Sequence, residues 1–121
     1  MGYIAYNLTE AARAALLAKF PPKYGPVCHH VTVQPNVDQT HPLPPRAVLN
    51  VVGYTTDGAG LEALIVAVDG QTERAVGGIY HVTHSLSEGR AKVESNAVIE
   101  QHGWTPIASP FAIDGLPAWN D

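Results

Sequence analysis

Tyr80-His81-Val82-Thr83-His84-Ser85 reads YHVTHS, and Cys28-His29-His30-Val31-Thr32-Val33 reads CHHVTV, so the tripeptide His-Val-Thr occurs twice in 121 residues. Valine and threonine are β-branched and favour strands. On a strand, successive side chains point to opposite faces. His30 therefore shares a face with Thr32, and His81 with Thr83. Val31, Val33 and Val82 point the other way, toward a core. Gln34 continues the polar face of the first strand, and Ser85 that of the second. Each segment is predicted to bury valine on one side and to present an imidazole and a hydroxyl, two residues apart, on the other.

Working outward, the chain alternates strands with two helical stretches. Residues 3–8 form a short strand pattern. Thr9 is a plausible N-cap for a helix over 11–20, rich in Ala and Leu and ended by Pro21-Pro22. The first His-Val-Thr strand is predicted over 27–34. A proline-rich loop follows over 35–46, then a strand over 47–55. Gly58 and Gly60 mark a turn into the apolar run 61–68, a strand buried on both faces and paired as a hairpin. The second His-Val-Thr strand spans 77–86, and 87–92 is a loop. Ser95 is expected to cap a short helix to about residue 101, with Gly103 as its C-cap. A proline-interrupted edge strand over 104–113 and an irregular tail complete the chain. The fold class is α+β: one domain over 1–121 with a largely antiparallel sheet and two helices.

The totals narrow the function. Seven basic against eleven acidic residues give a net charge of −4. Non-specific binding along many phosphates needs a basic surface, so no extended nucleic-acid interface is expected. No apolar run approaches 18 residues, so no membrane span is expected. No secretory signal pattern opens the chain, and the single Cys28 cannot form an internal disulfide. Both point to a reducing, cytoplasmic setting. Cys28 reads as a small buried hydrophobe in preference to a nucleophile.

If the two polar strand faces converge, they make a reaction centre. One imidazole can take a proton from attacking water while the other gives one to a leaving oxygen. Histidine suits both tasks near neutral pH. The hydroxyls of Thr32 and Thr83 can donate to the non-bridging oxygens of a phosphodiester, where charge grows in the transition state. That chemistry needs no metal and no cofactor.

The pair His30-Val31-Thr32 and His81-Val82-Thr83 resembles the two His-x-Thr/Ser motifs of the two-histidine (2H) phosphoesterase superfamily. The apolar Gly78-Ile79-Tyr80 before the second motif is also similar. The stretch 80–96 resembles a compact group of small RNA-repair-like members. The resemblance implies a bilobal sheet with pseudo-twofold symmetry. It implies a hydrolase, a metal-independent phosphodiesterase acting on 2′,3′-cyclic phosphate RNA ends or cyclic (oligo)nucleotides. His30 and His81 would be the catalytic acid and base, and Thr32 and Thr83 the phosphate-binding groups.

Further substrate contacts are expected from Tyr3 or Tyr6, which could stack on a base. Ser85, and Arg90 and Lys92 in the loop after the second motif, are further candidates for a phosphate. Two rivals remain. Six histidines suggest a metal-dependent hydrolase, but His29 and His30 are neighbours on a strand, and His81 and His84 are three apart. Neither pair is expected to face one ion, so His29 and His84 are assigned supporting roles. The other rival is a nucleotide- or RNA-binding module that performs no chemistry.

Overall fold

Thr9 starts the first helix as its position predicts: its backbone is extended and its Oγ1 accepts from the Ala12 N–H at 3.2 Å. The computed structural model describes residues 1–121. In chain order its elements are β1 (Gly2–Leu8), α1 (Glu10–Lys19), β2 (Gly25–Pro26), β3 (His30–Val37) and β4 (Leu49–Thr56). They continue with β5 (Leu61–Val68), β6 (His81–Leu86), α2 (Glu94–His102), β7 (Thr105–Ile113) and β8 (Gly115–Asn120). The eight strands form one sheet in the order β7-β4-β5-β6-β3-β1-β8, with short β2 lying on β6. Every pairing is antiparallel. The fold is α+β with two helices. No helix is long and apolar enough to cross a membrane.

The two helices cover opposite faces of the sheet. Ala12 and Leu16 of α1 share a cluster with Val31, Leu64, Val66 and Val82. Val98 of α2 packs instead with Leu61 and Ala63. Residues 61 and 63 of β5 point away from 64 and 66, so β5 has a helix on each side. All eight of its residues are accordingly buried, the carboxylate of Glu62 among them; the other seven are apolar, as a strand covered on both faces requires.

Several boundaries differ from expectation, each for a local reason. The second His-Val-Thr strand, expected over 77–86, begins only at His81, after Gly77 and Gly78 turn the chain with left-handed φ values of 104° and 84°. The first His-Val-Thr strand begins at His30, because Cys28 adopts a left-handed φ of 48° that breaks the extended chain. It then runs through Pro35 to Val37, since β1 pairs along its whole length with two register shifts. The tail is no irregular segment: β8 pairs residue for residue with β1, from Tyr3↔Asn120 to Leu8↔Gly115. Ser95 is not a cap. Val93 occupies that position with helical dihedrals and no side-chain bond, while Glu94 accepts from the Ala91 N–H at 2.6 Å. Gly103 does end α2, with φ 65° and its N–H donated to the Ile99 carbonyl. β7 is an edge strand, which accommodates Pro106 and Pro110.

Val31 and Val82 are both fully buried in the main core. Truncating Val82 to Ala should cost roughly 2–3 kcal/mol, seen as a lower urea midpoint with unchanged slope. Val48→Ala, at a side chain 64% exposed, should leave the midpoint in place. Equal effects of the two would contradict this account of the core.

Candidate active site

Strands β3 and β6 share a single ladder pair, Val31↔Val82. Both valines point into the α1-side core, so His30, Thr32, His81 and Thr83 project from the opposite face. Because the strands run antiparallel, His30 lies on the Thr83 side of the pair and Thr32 on the His81 side. All four side chains line one cleft of about 540 Å³. Residues 25–28 stay bonded to β6 on one side of that pair, but on the Thr32–His81 side the ladder goes no further, and the sheet surface opens there into a concavity.

Each group has a defined environment. His81 is 8% exposed, and its Nδ1 lies 2.7 Å from the Ile79 carbonyl. A carbonyl only accepts, so Nδ1 carries the proton and Nε2 is left with its lone pair. Burial lowers the His81 pKa; the Ile79 hydrogen bond opposes that shift and the Arg74 charge adds to it. His30 is half-buried. Burial first, then His29, Lys92 and His81, push it down to about 4. Its ring lies against Tyr3, with centroids 5.0 Å apart. Thr83 Oγ1 sits 2.9 Å from Ser95 Oγ on α2, a residue with no exposed surface. Ser95 thus holds the Thr83 hydroxyl at the cleft wall. Thr32 stands opposite Ala5 of β1 and is half-buried at the cleft.

Tyr3 and Lys92 line the cleft as expected. Three other expected contacts do not. Tyr6 lies three residues from Tyr3, hence on the other face; it is 3% exposed in the α1-side core and donates to the Pro45 carbonyl at 2.7 Å. Ser85 is turned away by a register shift: Ala63 pairs with Thr83 but Glu62 pairs with Ser85, leaving His84 as an extra residue. Such a bulge reverses the alternation beyond it. Ser85 consequently donates to Glu62 Oε1 at 2.6 Å, away from the cleft. Arg90 is held by Asp57 at 2.7 Å, Glu94 at 2.9 Å and the Ala59 carbonyl at 2.6 Å, so it serves the turn and the start of α2.

His84 and Cys28 are structural. His84 is buried, with Nε2 2.6 Å from the Phe20 carbonyl at the end of α1. Cys28 is buried, and burial pushes its thiol up to about 11, which removes it as a nucleophile. His29 departs from expectation. It precedes β3, so strand alternation does not govern it, and its Nδ1 lies 2.9 Å from that of His30. No three His, Cys, Asp or Glu side chains converge as a ligand set.

The structure adds residues that sequence reasoning passed over. Arg74 and Asn96 line the cleft. Arg74 Nε donates to the Gly77 carbonyl at 2.9 Å, and Nη2 approaches Asn96 Oδ1 at 3.4 Å. Gly78 makes that placement possible: its φ is 84°, and a Cβ there would fall 2.6 Å from Arg74 Nη2. Neither Arg74 nor Lys92 pairs with a carboxylate; the ion pairs are Arg46–Asp114, Arg90–Asp57 and Arg90–Glu94. Two free cations at one cleft, in a chain of net charge −4, mark a local positive field. Asp121 is the one acidic residue on its lining. Arg74 carried no sequence signal beyond a basic residue between turn glycines.

Comparison with protein-family models, with curated proteins and with solved structures finds no match to this chain.

Two predictions follow from this geometry. His30 titrates at 6.5 when unfolded and at about 4 when folded, so the unfolded chain binds more protons between those values. Stability attributable to His30 is complete above pH 6.5 and is lost on acidification toward pH 4, by up to about 3 kcal/mol. Urea midpoints of His30→Gln should fall less than those of wild type over that window; parallel curves would contradict the shift. Ser95→Ala should leave Thr83 without its buried partner, costing about 1 kcal/mol, read in the same urea titration. A stability equal to wild type would remove Ser95 from its supporting role.

Proposed function

We propose that the chain is a metal-independent phosphodiesterase of the two-histidine type. Its substrate would be a 2′,3′-cyclic phosphate at an RNA end or a cyclic (oligo)nucleotide. The observation that carries this reading is the convergence of His30, Thr32, His81 and Thr83 on one cleft that also holds two unpaired cations. A sheet-forming module in which the two tripeptides recur by chance gives no reason for that convergence.

The chemistry divides among those residues. The phosphate lies between the two imidazoles, with its non-bridging oxygens toward Thr32 and Thr83. A neutral imidazole takes a proton from water as the water oxygen bonds to phosphorus. The P–O bond to one ribose oxygen breaks, and that oxygen receives a proton from the second imidazole. The threonine hydroxyls and the Arg74 and Lys92 cations offset the negative charge that accumulates on the phosphoryl oxygens. Tyr3, beside His30 at the rim, offers a flat surface on which a base can stack. The bilobal, pseudo-twofold arrangement of the family belongs to the same proposal; the β3–β6 junction, with one motif on each strand, is where such an axis would pass.

Turnover of a panel of nucleoside 2′,3′-cyclic phosphates, RNA ends and cyclic oligonucleotides tests the proposal. His30→Ala and His81→Ala should each lower kcat by 10²-fold or more while circular dichroism shows a folded protein. Activity of the wild type should persist in EDTA. Wild-type activity undiminished in either alanine variant would refute the roles assigned. Binding without turnover would identify a nucleotide-binding module, and loss of turnover in EDTA would favour a metal-dependent hydrolase.

A further inference from the structure

Proton traffic at His30 poses a problem that the cleft alone does not solve. Held near 4, the imidazolium of His30 is scarce at neutral pH. A neutral imidazole donates from Nε2 only if its Nδ1 gains a proton at the same time. His81 meets no such difficulty as a base, because its Nδ1–H is already committed to the Ile79 carbonyl.

The chain places a partner at the required atom. Val27 and Cys28 donate their N–H groups to the carbonyls of His84 and Thr83, yet the next pairing with β6 is Val31↔Val82. Residues 29 and 30 are therefore extra in the pairing. The left-handed Cys28 turns the chain just before them, and the Leu8 N–H anchors the His29 carbonyl at 2.9 Å. The two rings meet at 79° with Nδ1 facing Nδ1 at 2.9 Å. Only one proton fits between two such nitrogens. His29 is exposed, whereas His30 is half-buried.

We propose that His29 is a positioning residue that relays a proton between solvent and His30 through the Nδ1–Nδ1 contact, making His30 the general acid and His81 the base. The inference rests on the phosphodiesterase reading. In the resting state His29 Nδ1–H donates to His30 Nδ1, and His30 carries its own proton on Nε2. As the P–O bond breaks, His30 Nε2–H passes to the leaving ribose oxygen. The His29 proton moves to His30 Nδ1, and solvent protonates His29 at Nε2. Meanwhile His81 Nε2 has taken one proton from water. One proton enters at His29 and one leaves from His81, so both imidazoles of the cleft are neutral again without a free His30 imidazolium. Before the next turnover the relay runs back: His30 takes a proton from water at Nε2 and returns its Nδ1 proton to His29, which releases its Nε2 proton to solvent, restoring the resting tautomers.

The groups that face His30 are consistent with this assignment. Tyr3 of β1 touches its ring. His81 of β6 and Lys92 ahead of α2 both act to lower its pKa. Arg74 and Asp121 line the same cleft. Only His29 contacts Nδ1.

The test compares wild type, His29→Gln and His29→Phe on adenosine 2′,3′-cyclic phosphate between pH 5 and pH 8, alongside imidazole 15N NMR of the free proteins. Glutamine can hydrogen-bond His30 but cannot relay a proton. Both variants should lose at least tenfold in kcat at pH 8 and recover part of it toward pH 5, where about a tenth of His30 holds a proton of its own. The wild-type 15N spectrum should show the His29 and His30 Nδ1 signals coupled, and His29→Gln should shift the His30 signal but not that of His81. Unchanged pH–rate profiles in both variants, with an active wild type, would overturn the relay. A wild type that turns over none of the esters would refute the phosphodiesterase reading instead. The spectra then decide the shared proton alone, and independent Nδ1 signals for the two rings would overturn it.

Discussion

The one ladder pair between β3 and β6 carries the architecture of the cleft. Val31 and Val82 are fully buried against α1, and burying each contributes about 1.5–3 kcal/mol. Their burial fixes which face each flanking residue takes, since a strand reverses side with every step. Two histidines and two threonines are thereby committed to the opposite face by apolar packing, not by any attraction among themselves. Because β3 and β6 pair no further on the Thr32–His81 side, that face opens between β1 and α2 and is not closed over by sheet.

The same arrangement explains the electrostatics. Burial disfavours the charged form of both imidazoles, and the cations around them act in the same direction. Both histidines are therefore biased toward the neutral form beside Arg74 and Lys92. A phosphate monoanion or dianion would reverse part of this by bringing negative charge within a few ångströms. Ligand binding and histidine protonation are then coupled, as expected of groups that titrate while they work. Elsewhere the buried charge is quiet: burial would raise the Glu62 pKa, but the Lys23 N–H, Ser85 and Tyr54 bonds outweigh it and hold it lowered.

Much of this was legible before the structure. Period-two reasoning placed Val31 and Val82 inside and set each histidine on one face with its threonine, and the run 61–68 announced a central strand; that the two polar faces line one cleft is added by the structure. Two failures, at Ser85 and His29, share one cause: sequence spacing does not show where alternation is interrupted. A bulge at His84 sends Ser85 to Glu62, and a left-handed Cys28 brings His29 back beside His30. Tyr6 was a different error, since a spacing of three from Tyr3 already implied opposite faces. Strand β8 was missed because Pro117 and Gly115 weaken its pattern; it forms because the open edge of β1 supplies a full row of partners. Arg74 was invisible because a turn, not a periodic element, carries it to the cleft.

Whether the four motif side chains act as one phosphate site is the claim on which everything else stands. Titrating the free protein with adenosine 3′-monophosphate, a non-reacting phosphate ester, while following histidine ring and threonine methyl signals by NMR tests it directly. The rings of His30 and His81 and the methyls of Thr32 and Thr83 should shift together with one shared dissociation constant, while His41, His84 and His102 stay still. Separate constants for the two histidines, or a response confined to one motif, would contradict it.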